Sequence, residues 1–299
     1  MTDVAPAQTT DGRAFSVLSL ADGRGLAYAE YGDPAGRPVL YCHGGLASRL
    51  DVAPLSAAFA DQGVRLISPD RPGIGHSSYQ RHRTLLDWPA DVAQLADALG
   101  MGRFATVGWS AGGPYALACG HALADRVSAV AVLGTALPFE VVGTRKGLNR
   151  PDRIMLTLAT RVPPVARATL WLTMVAAPAQ ALERSAGRAL SPADRAVLAS
   201  AGSPAEAVAF MKESVRQGTR GEVAEYVVFA RPWGFALEDI PVPVHVWEGA
   251  EDKLLPPAYP RILLEHLPGA TFTMVPGEGH ISLLRNRLPE IVAALLDAD

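Results

Sequence analysis

The stretch Phe104-Ala105-Thr106-Val107-Gly108-Trp109-Ser110-Ala111-Gly112 decides the fold. It opens as a short apolar run of strand character, and a helical pattern follows from Ala111 to Ala124. Between them stands a G-x-S-x-G, in the strand-turn-helix context that gives this spacing its meaning. A serine on so tight a turn takes a strained backbone that holds its hydroxyl out over the sheet. The flanking glycines are needed because side chains there would collide with neighbouring backbone. The helix behind the serine aims its free N–H groups and positive end at the same point, which favours a developing oxyanion.

Outward from this turn, further strand patterns lie at Phe15 to Leu20, Leu26 to Tyr31, Val39 to Cys42, Val64 to Ser68, Val127 to Leu133, Val242 to Trp247 and Ala270 to Val275. With Phe104 to Val107 they make eight. Helical patterns alternate with them at Asp51 to Gln62, Thr84 to Leu99, Ala111 to Ala124, Pro257 to His266 and Leu288 to Leu296. Alternation of this kind predicts an α/β architecture, a mostly parallel eight-stranded sheet with helices on both faces. The rhythm stops between about Pro138 and Trp233, where helix signals dominate. The expected organisation is a core of residues 1–137 and 234–299, with an all-helical insertion at 138–233. Ser191-Pro192-Ala193-Asp194 and Ser203-Pro204-Ala205-Glu206 each place a hydroxyl at N-cap, proline at N1 and an acid at N3, the pattern of a helix start. Trp109, Trp171, Phe210 and Met211 are candidates to line a substrate pocket, although periodicity leaves the direction of the insertion's side chains open.

A serine hydroxyl is a weak nucleophile until a base takes its proton, so Ser110 calls for a histidine and a carboxylate. Asp252 lies in Gly249-Ala250-Glu251-Asp252, past the strand ending at Trp247; His280 lies in Gly277-Glu278-Gly279-His280, past the strand ending at Val275. Parallel strands present their C-terminal ends at one edge, so Ser110, Asp252 and His280 converge there. Glu248, Glu251 and Glu140 are rival acids. His43 is read as a structural hydrogen-bonding residue beside the site, and His76, His82, His121, His245 and His266 as surface or packing residues. None of the histidines forms an H-x-x-x-H pair with a glutamate, so no metal is expected. Gly73-Ile74-Gly75-His76-Ser77-Ser78 lacks the third glycine of a dinucleotide loop, so no nucleotide cofactor is expected either.

These motifs together resemble a serine-type α/β-hydrolase with a helical cap, esterase-like, over about Leu26 to Leu296. In that family a strand ends in His-Gly and a neighbouring backbone N–H completes an oxyanion hole; Tyr41-Cys42-His43-Gly44-Gly45 occupies that place. The resemblance implies Ser110, Asp252 and His280 as catalytic triad, with the N–H groups of Gly45 and Ala111 as oxyanion hole. It also implies that Asp70-Arg71-Pro72-Gly73-Ile74-Gly75-His76-Ser77 shapes a turn under the site, and that Phe235 to Pro243 leads from cap back to core. Prolyl aminopeptidases of this fold carry His-Gly-Gly-Pro-Gly, whereas Leu46 and Ala47 follow Gly45 here. Epoxide hydrolases and haloalkane dehalogenases attack with aspartate, against which Ser110 argues.

Composition narrows the partners. The 299 residues are 49% apolar and 19% charged, which excludes a disordered or fibrous chain. A formal net charge of −3 without long runs of one sign lacks the footprint of a nucleic-acid binder. Two cysteines, Cys42 and Cys119, make no disulfide framework and fit a reducing, cytoplasmic setting as buried small residues. No signal peptide or membrane span is read from the chain. The expected partner is a small-molecule substrate, with no nucleic acid, membrane or cofactor; a homodimer is allowed. The reading is a serine hydrolase that cleaves a small, apolar ester, thioester or lactone through an acyl-enzyme on Ser110. Two alternatives stay open: a lyase or perhydrolase on the same fold, and a ligand-binding receptor on a hydrolase fold.

Overall fold

The computed structural model describes residues 4–8, 14–140, 144–178, 189–200 and 211–297. Its strands are β1 (Val4–Gln8), β2 (Ala14–Ser19), β3 (Gly25–Gly32), β4 (Arg37–Cys42), β5 (Val64–Pro69), β6 (Phe104–Trp109), β7 (Val127–Leu133), β8 (Val244–Gly249) and β9 (Thr271–Val275). They form one sheet in the order β1-β2-β3-β5-β4-β6-β7-β8-β9. Pairing is antiparallel from β1 through β3 to β5 and parallel from β5 onward.

Among the described residues the sheet therefore has nine strands rather than the expected eight. The additional one, β1, reads Val-Ala-Pro-Ala-Gln and carries a proline and small residues where a strand signal is sought. It pairs only with β2, at the sheet edge, where a proline that cannot donate to a ladder is tolerated. β8 starts at Val244, two residues later than its apolar pattern, because Pro241 and Pro243 precede it.

Both faces of the sheet are covered. On β4, Val39 and Tyr41 point into one apolar cluster and Leu40 and Cys42 into the other, the period-two alternation of a strand buried on both sides. The first face packs against α1 (Ser56–Asp61), through Phe59, and against the long C-terminal helix described below. The second packs against α2 (Trp88–Ala98) and α3 (Gly113–Ala122). Every residue of β7 is buried, as its uninterrupted apolar sequence requires.

Between β7 and β8 the regular elements among the described residues are helices: α4 (Thr144–Gly147), α5 (Arg150–Arg161), α6 (Pro163–Leu170), a π-helical turn (Trp171–Val175), α7 (Pro192–Ser200) and α8 (Arg220–Phe229), with a short 3₁₀ turn before β8. They have their own apolar cluster, made by Met155, Ala159, Ala166, Leu170, Met174, Val215 and Val223, and Leu46 from the loop after β4 packs on it. At α7 the expected box forms: the Asp194 N–H donates to Ser191 Oγ at 3.1 Å, and the Ser191 N–H donates to Asp194 Oδ2 at 3.2 Å. The second predicted start, Ser203 to Glu206, lies outside the described residues.

After β8 come α9 (Tyr259–His266), β9 and α10 (His280–Asp297). α10 begins eight residues before the expected Leu288. Pro289 lies inside the helix, where its missing N–H leaves one carbonyl of the preceding turn without its usual donor. His280 is thereby the first residue of a helix. Among the described residues no helix is long and apolar enough to cross a membrane.

Candidate active site

The parallel strands bring their C-terminal ends to one edge, and the chemistry-bearing residues follow β4, β6, β8 and β9 there. At the end of β6, Ser110 has a φ of 55°, a left-handed conformation that costs a non-glycine residue on the order of 1–2 kcal/mol. The 3₁₀ turn Ser110–Gly112 then leads into α3. The turn closes against the loop after β4: a Cβ on Gly112 would lie 2.0 Å from the Cys42 carbonyl oxygen. Only glycine fits that approach, and it lets the start of α3 come up beside Cys42 and His43.

His280 donates from Nδ1 to Asp252 Oδ2 at 2.6 Å, with both side chains almost fully buried. The other carboxylate oxygen accepts from the N–H groups of Leu254 at 2.7 Å and Leu255 at 3.1 Å. Burial opposes ionisation of Asp252, but the His280 ring and these N–H groups outweigh it and hold the carboxyl below its ordinary value. With Nδ1 committed, Nε2 is the nitrogen left to exchange a proton. Trp109, the residue before Ser110, donates from its indole to the His280 carbonyl at 3.0 Å, and the two rings lie 5.2 Å apart. The serine-bearing turn and the histidine are thus in direct contact through their neighbours.

The rival acids are elsewhere or differently employed. Glu140 accepts from the Trp233 N–H at 3.1 Å, and Glu251 is exposed. Glu248 is buried; burial first, and then the Asp252 carboxylate, push it up to about 9, so it is protonated at neutral pH.

Gly45 and Ala111 meet across the elbow: a Cβ built on Gly45 would touch the Ala111 Cβ at 3.5 Å. Gly45 is exposed and Ala111 half-buried. The loop that carries Gly45 is held from several sides. The Gly44 N–H donates to Asp51 Oδ2 at 3.2 Å, and the Arg71 guanidinium donates to the His43 carbonyl and, at 2.9 Å, to the Gly44 carbonyl. His43 donates from Nδ1 to the Gly44 carbonyl at 2.9 Å and accepts the Arg71 N–H at Nε2, 3.2 Å away. Both nitrogens are therefore engaged in the neutral ring. Burial, and then the Arg71 charge, hold His43 well below the usual imidazole value.

Arg71 is in turn bound by the helical excursion. Its Nε donates to Glu225 on α8 at 2.9 Å, and Glu225 also accepts from Arg83 and, at 3.0 Å, from the Tyr115 hydroxyl. Burial works to raise the Glu225 carboxyl, but Arg71 and Arg83 prevail and hold it below its ordinary value. Glu222, one turn earlier, accepts the Leu46 N–H at 3.4 Å; burial and then the Glu225 charge push it up to about 7.

The candidate pocket residues separate. Trp109 is half-buried between the Gly44 backbone and His280. Met211 packs on the excursion's own cluster, Trp171 is 50% exposed, and Phe210 lies outside the described residues. Among the described residues no three His, Cys, Asp or Glu side chains converge as a metal site.

Sequence reasoning missed Asp51, Gly134, Glu225 and the role of Arg71, which it took only as part of a turn. Gly134, with φ at 48°, runs so close to the pair that a Cβ would lie 3.1 Å from His280 Nδ1 and 3.3 Å from Asp252 Oδ2. The one signal for it was its place directly after β7, at the same sheet edge as the other strand ends.

The mostly parallel sheet with helices on both faces agrees with the known proteins that this chain resembles. A model of the α/β-hydrolase fold matches residues 37–286, and the chain belongs to that family. The uncharacterized hydrolase YcgS of Bacillus subtilis (strain 168) is 24% identical over 282 residues, which cover 92% of this chain and 95% of that protein. An enol-lactonase from Burkholderia xenovorans LB400 superposes with a TM-score of 0.68 at 21% identity, covering 92% of this chain and 98% of its own. A thermophilic esterase from Thermogutta terrifontis superposes with a TM-score of 0.69 at 20% identity, covering 100% and 98%.

Proposed function

We propose that the chain is a serine hydrolase that cleaves a small, apolar ester, thioester or lactone, and that Ser110, His280 and Asp252 are its catalytic triad. The observation that carries this reading is the 2.6 Å bond between His280 Nδ1 and Asp252 at the sheet edge where Ser110 stands in its left-handed turn. Ser110 Oγ attacks the substrate carbonyl carbon while its proton passes to His280 Nε2. Asp252 holds the ring's tautomer and stabilises the imidazolium. The carbonyl oxygen, now negative, accepts from the N–H groups of Gly45 and Ala111. The bond to the leaving oxygen or sulfur breaks as His280 returns the proton to it, leaving an acyl group on Ser110. Water, deprotonated by the same ring, then releases the acid and restores the serine. The helices described between β7 and β8 act as a cap over the substrate, and the hydrolase, lactonase and esterase relatives support the reaction class.

The test is intact-mass spectrometry after exposure to a fluorophosphonate. One adduct is expected on wild type at Ser110, with none on Ser110→Ala and a greatly slowed one on His280→Ala. Steady-state turnover of p-nitrophenyl esters of increasing chain length follows. Unlabelled, folded wild type that binds a small molecule tightly without turnover would instead favour the receptor reading.

A further inference from the structure

Helix α10 carries His280 as its first residue, and the first N–H groups of a helix find no partner within it. Here those donors reach another part of the fold. The N–H groups of Ile281 and Ser282 both donate to Asp194 Oδ1, at 2.8 and 2.9 Å. The Gly279 N–H folds back to Ser282 Oγ at 2.7 Å. Asp194 belongs to α7, is completely buried, and through Oδ2 accepts the Ser191 N–H that completes its own helix start. One carboxylate thus satisfies the opening turns of two helices, α7 and α10. The contact is close enough to exclude side chains, since a Cβ at Gly279 would lie 2.2 Å from Ser191 Oγ and 2.5 Å from Asp194 Oδ2.

The turn so anchored bears the imidazole, whose other end is fixed by Asp252. Taking the triad above as the working site, we propose that Asp194 is a positioning residue for His280: it sets where the first turn of α10 stands, and hence where Nε2 meets Ser110. The helical excursion between β7 and β8 then supplies part of the catalytic geometry as well as any covering of the substrate. Asp194 touches neither substrate nor reacting atoms. Its effect runs through the Ile281 and Ser282 N–H groups, whose bonds to an anionic acceptor are stronger than those to a neutral one. Misplacement of a catalytic group by about 1 Å costs on the order of a hundredfold in rate, so loss of this anchor has a measurable chemical consequence.

The experiment follows fluorophosphonate acylation of Ser110 by intact mass over time and over reagent concentration, separating the maximal rate from reagent affinity. Asp194→Ala is expected to be acylated to completion, at a maximal rate about ten- to a hundredfold below wild type with affinity unchanged. Asp194→Asn keeps an oxygen acceptor for the two N–H groups and is expected to recover most of the rate. A purely structural role gives a different pattern, a smaller labelled fraction that reacts at the wild-type rate, and that pattern overturns the proposal, as does full-rate labelling of folded Asp194→Ala. Ser191→Ala, which removes only the hydroxyl that fixes Asp194, serves where Asp194→Ala does not fold. Uniform slowing by about threefold is expected there, and wild-type kinetics overturn the proposal. Absence of labelling on wild type would instead mean that the triad reading itself fails.

Discussion

Asp252 Oδ2 stands 2.6 Å from His280 Nδ1, and the two side chains are only 5% and 4% exposed. In so enclosed a pair the carboxylate dictates the tautomer, because only the Nδ1–H ring can donate to it. Asp252→Asn removes that preference and lets the ring present a protonated Nε2 to Ser110. The expected loss in kcat for a p-nitrophenyl ester is on the order of 10⁴, with KM little changed. Turnover within tenfold of wild type would show that another group orients the ring.

Glu248 gives the site an unusual dependence of stability on pH. Burial and the adjacent Asp252 raise it from the ordinary 4.5 to about 9 in the folded protein. The fold therefore favours its neutral form: the stabilisation is fully present below about pH 4.5 and is lost as pH rises through about 9. Glu248→Gln keeps a neutral side chain of the same shape throughout. Urea denaturation at a series of pH values is expected to show the variant gaining on wild type from pH 5 to 9, by on the order of several kcal/mol at the upper end. Parallel curves across that range would refute the assignment.

Gly134 is where the backbone of β7's end comes closest to the pair. At φ 48°, with only 3.1 Å between its notional Cβ and His280 Nδ1, alanine meets both a strained backbone and an imidazole it must displace. Gly134→Ala is expected to lose about 1–2 kcal/mol of stability. Its acylation rate is expected to fall about tenfold or more. Unchanged kinetics in a folded variant would mean that the ring has room to move.

The elbow was legible in the sequence because its constraints are local: strand, glycine, serine, glycine and helix are adjacent, and each residue type answers a steric demand of its neighbours. Asp252 and His280 were legible because parallel topology carries the ends of distant strands to one edge. The supporting residues had no such signature. Glu225 reaches Arg71 across 154 positions of chain, and Asp194 reaches Ile281 across 87. Neither lies at a strand end; Asp194 was legible as the acid of its own helix start, but its reach to α10, like Glu225's to Arg71, exists only once tertiary packing buries the carboxylate. Proline's local preference also gives way to context, with Pro289 inside α10 and Pro6 on the edge strand β1.

The two cysteines provide an independent check on the packing around the site. Cys42 ends β4 and Cys119 lies on α3; both are free and completely buried, and burial pushes the Cys42 thiol up to about 12. Only the thiolate reacts with alkylating reagents. Folded protein at pH 8 is therefore expected to take up no iodoacetamide, while two equivalents react in denaturant. Rapid alkylation of native Cys42 would place the loop after β4 in a more open state.

The loop bearing Gly45 depends on a charge relay that ends on α8. Glu225 binds Arg71 and Arg83, and Arg71 in turn holds the carbonyls of His43 and Gly44. All three charged side chains are at most 4% exposed, so Glu225→Gln leaves two guanidinium groups in the interior without their counter-charge. Breaking a buried pair in this way costs about 3–5 kcal/mol. At roughly 2–4 °C per kcal/mol for a chain of this size, the melting temperature is expected to fall by about 6–20 °C. Acylation tells more than melting, because the Gly44 carbonyl and the Gly45 N–H belong to one planar peptide group, so the bond that holds the carbonyl also aims the N–H. An Arg71 freed from Glu225 turns that segment, and the maximal acylation rate below the melting transition is expected to drop about tenfold. A variant that melts early yet acylates at the wild-type rate would show that Asp51 alone, through the Gly44 N–H, suffices to hold the loop.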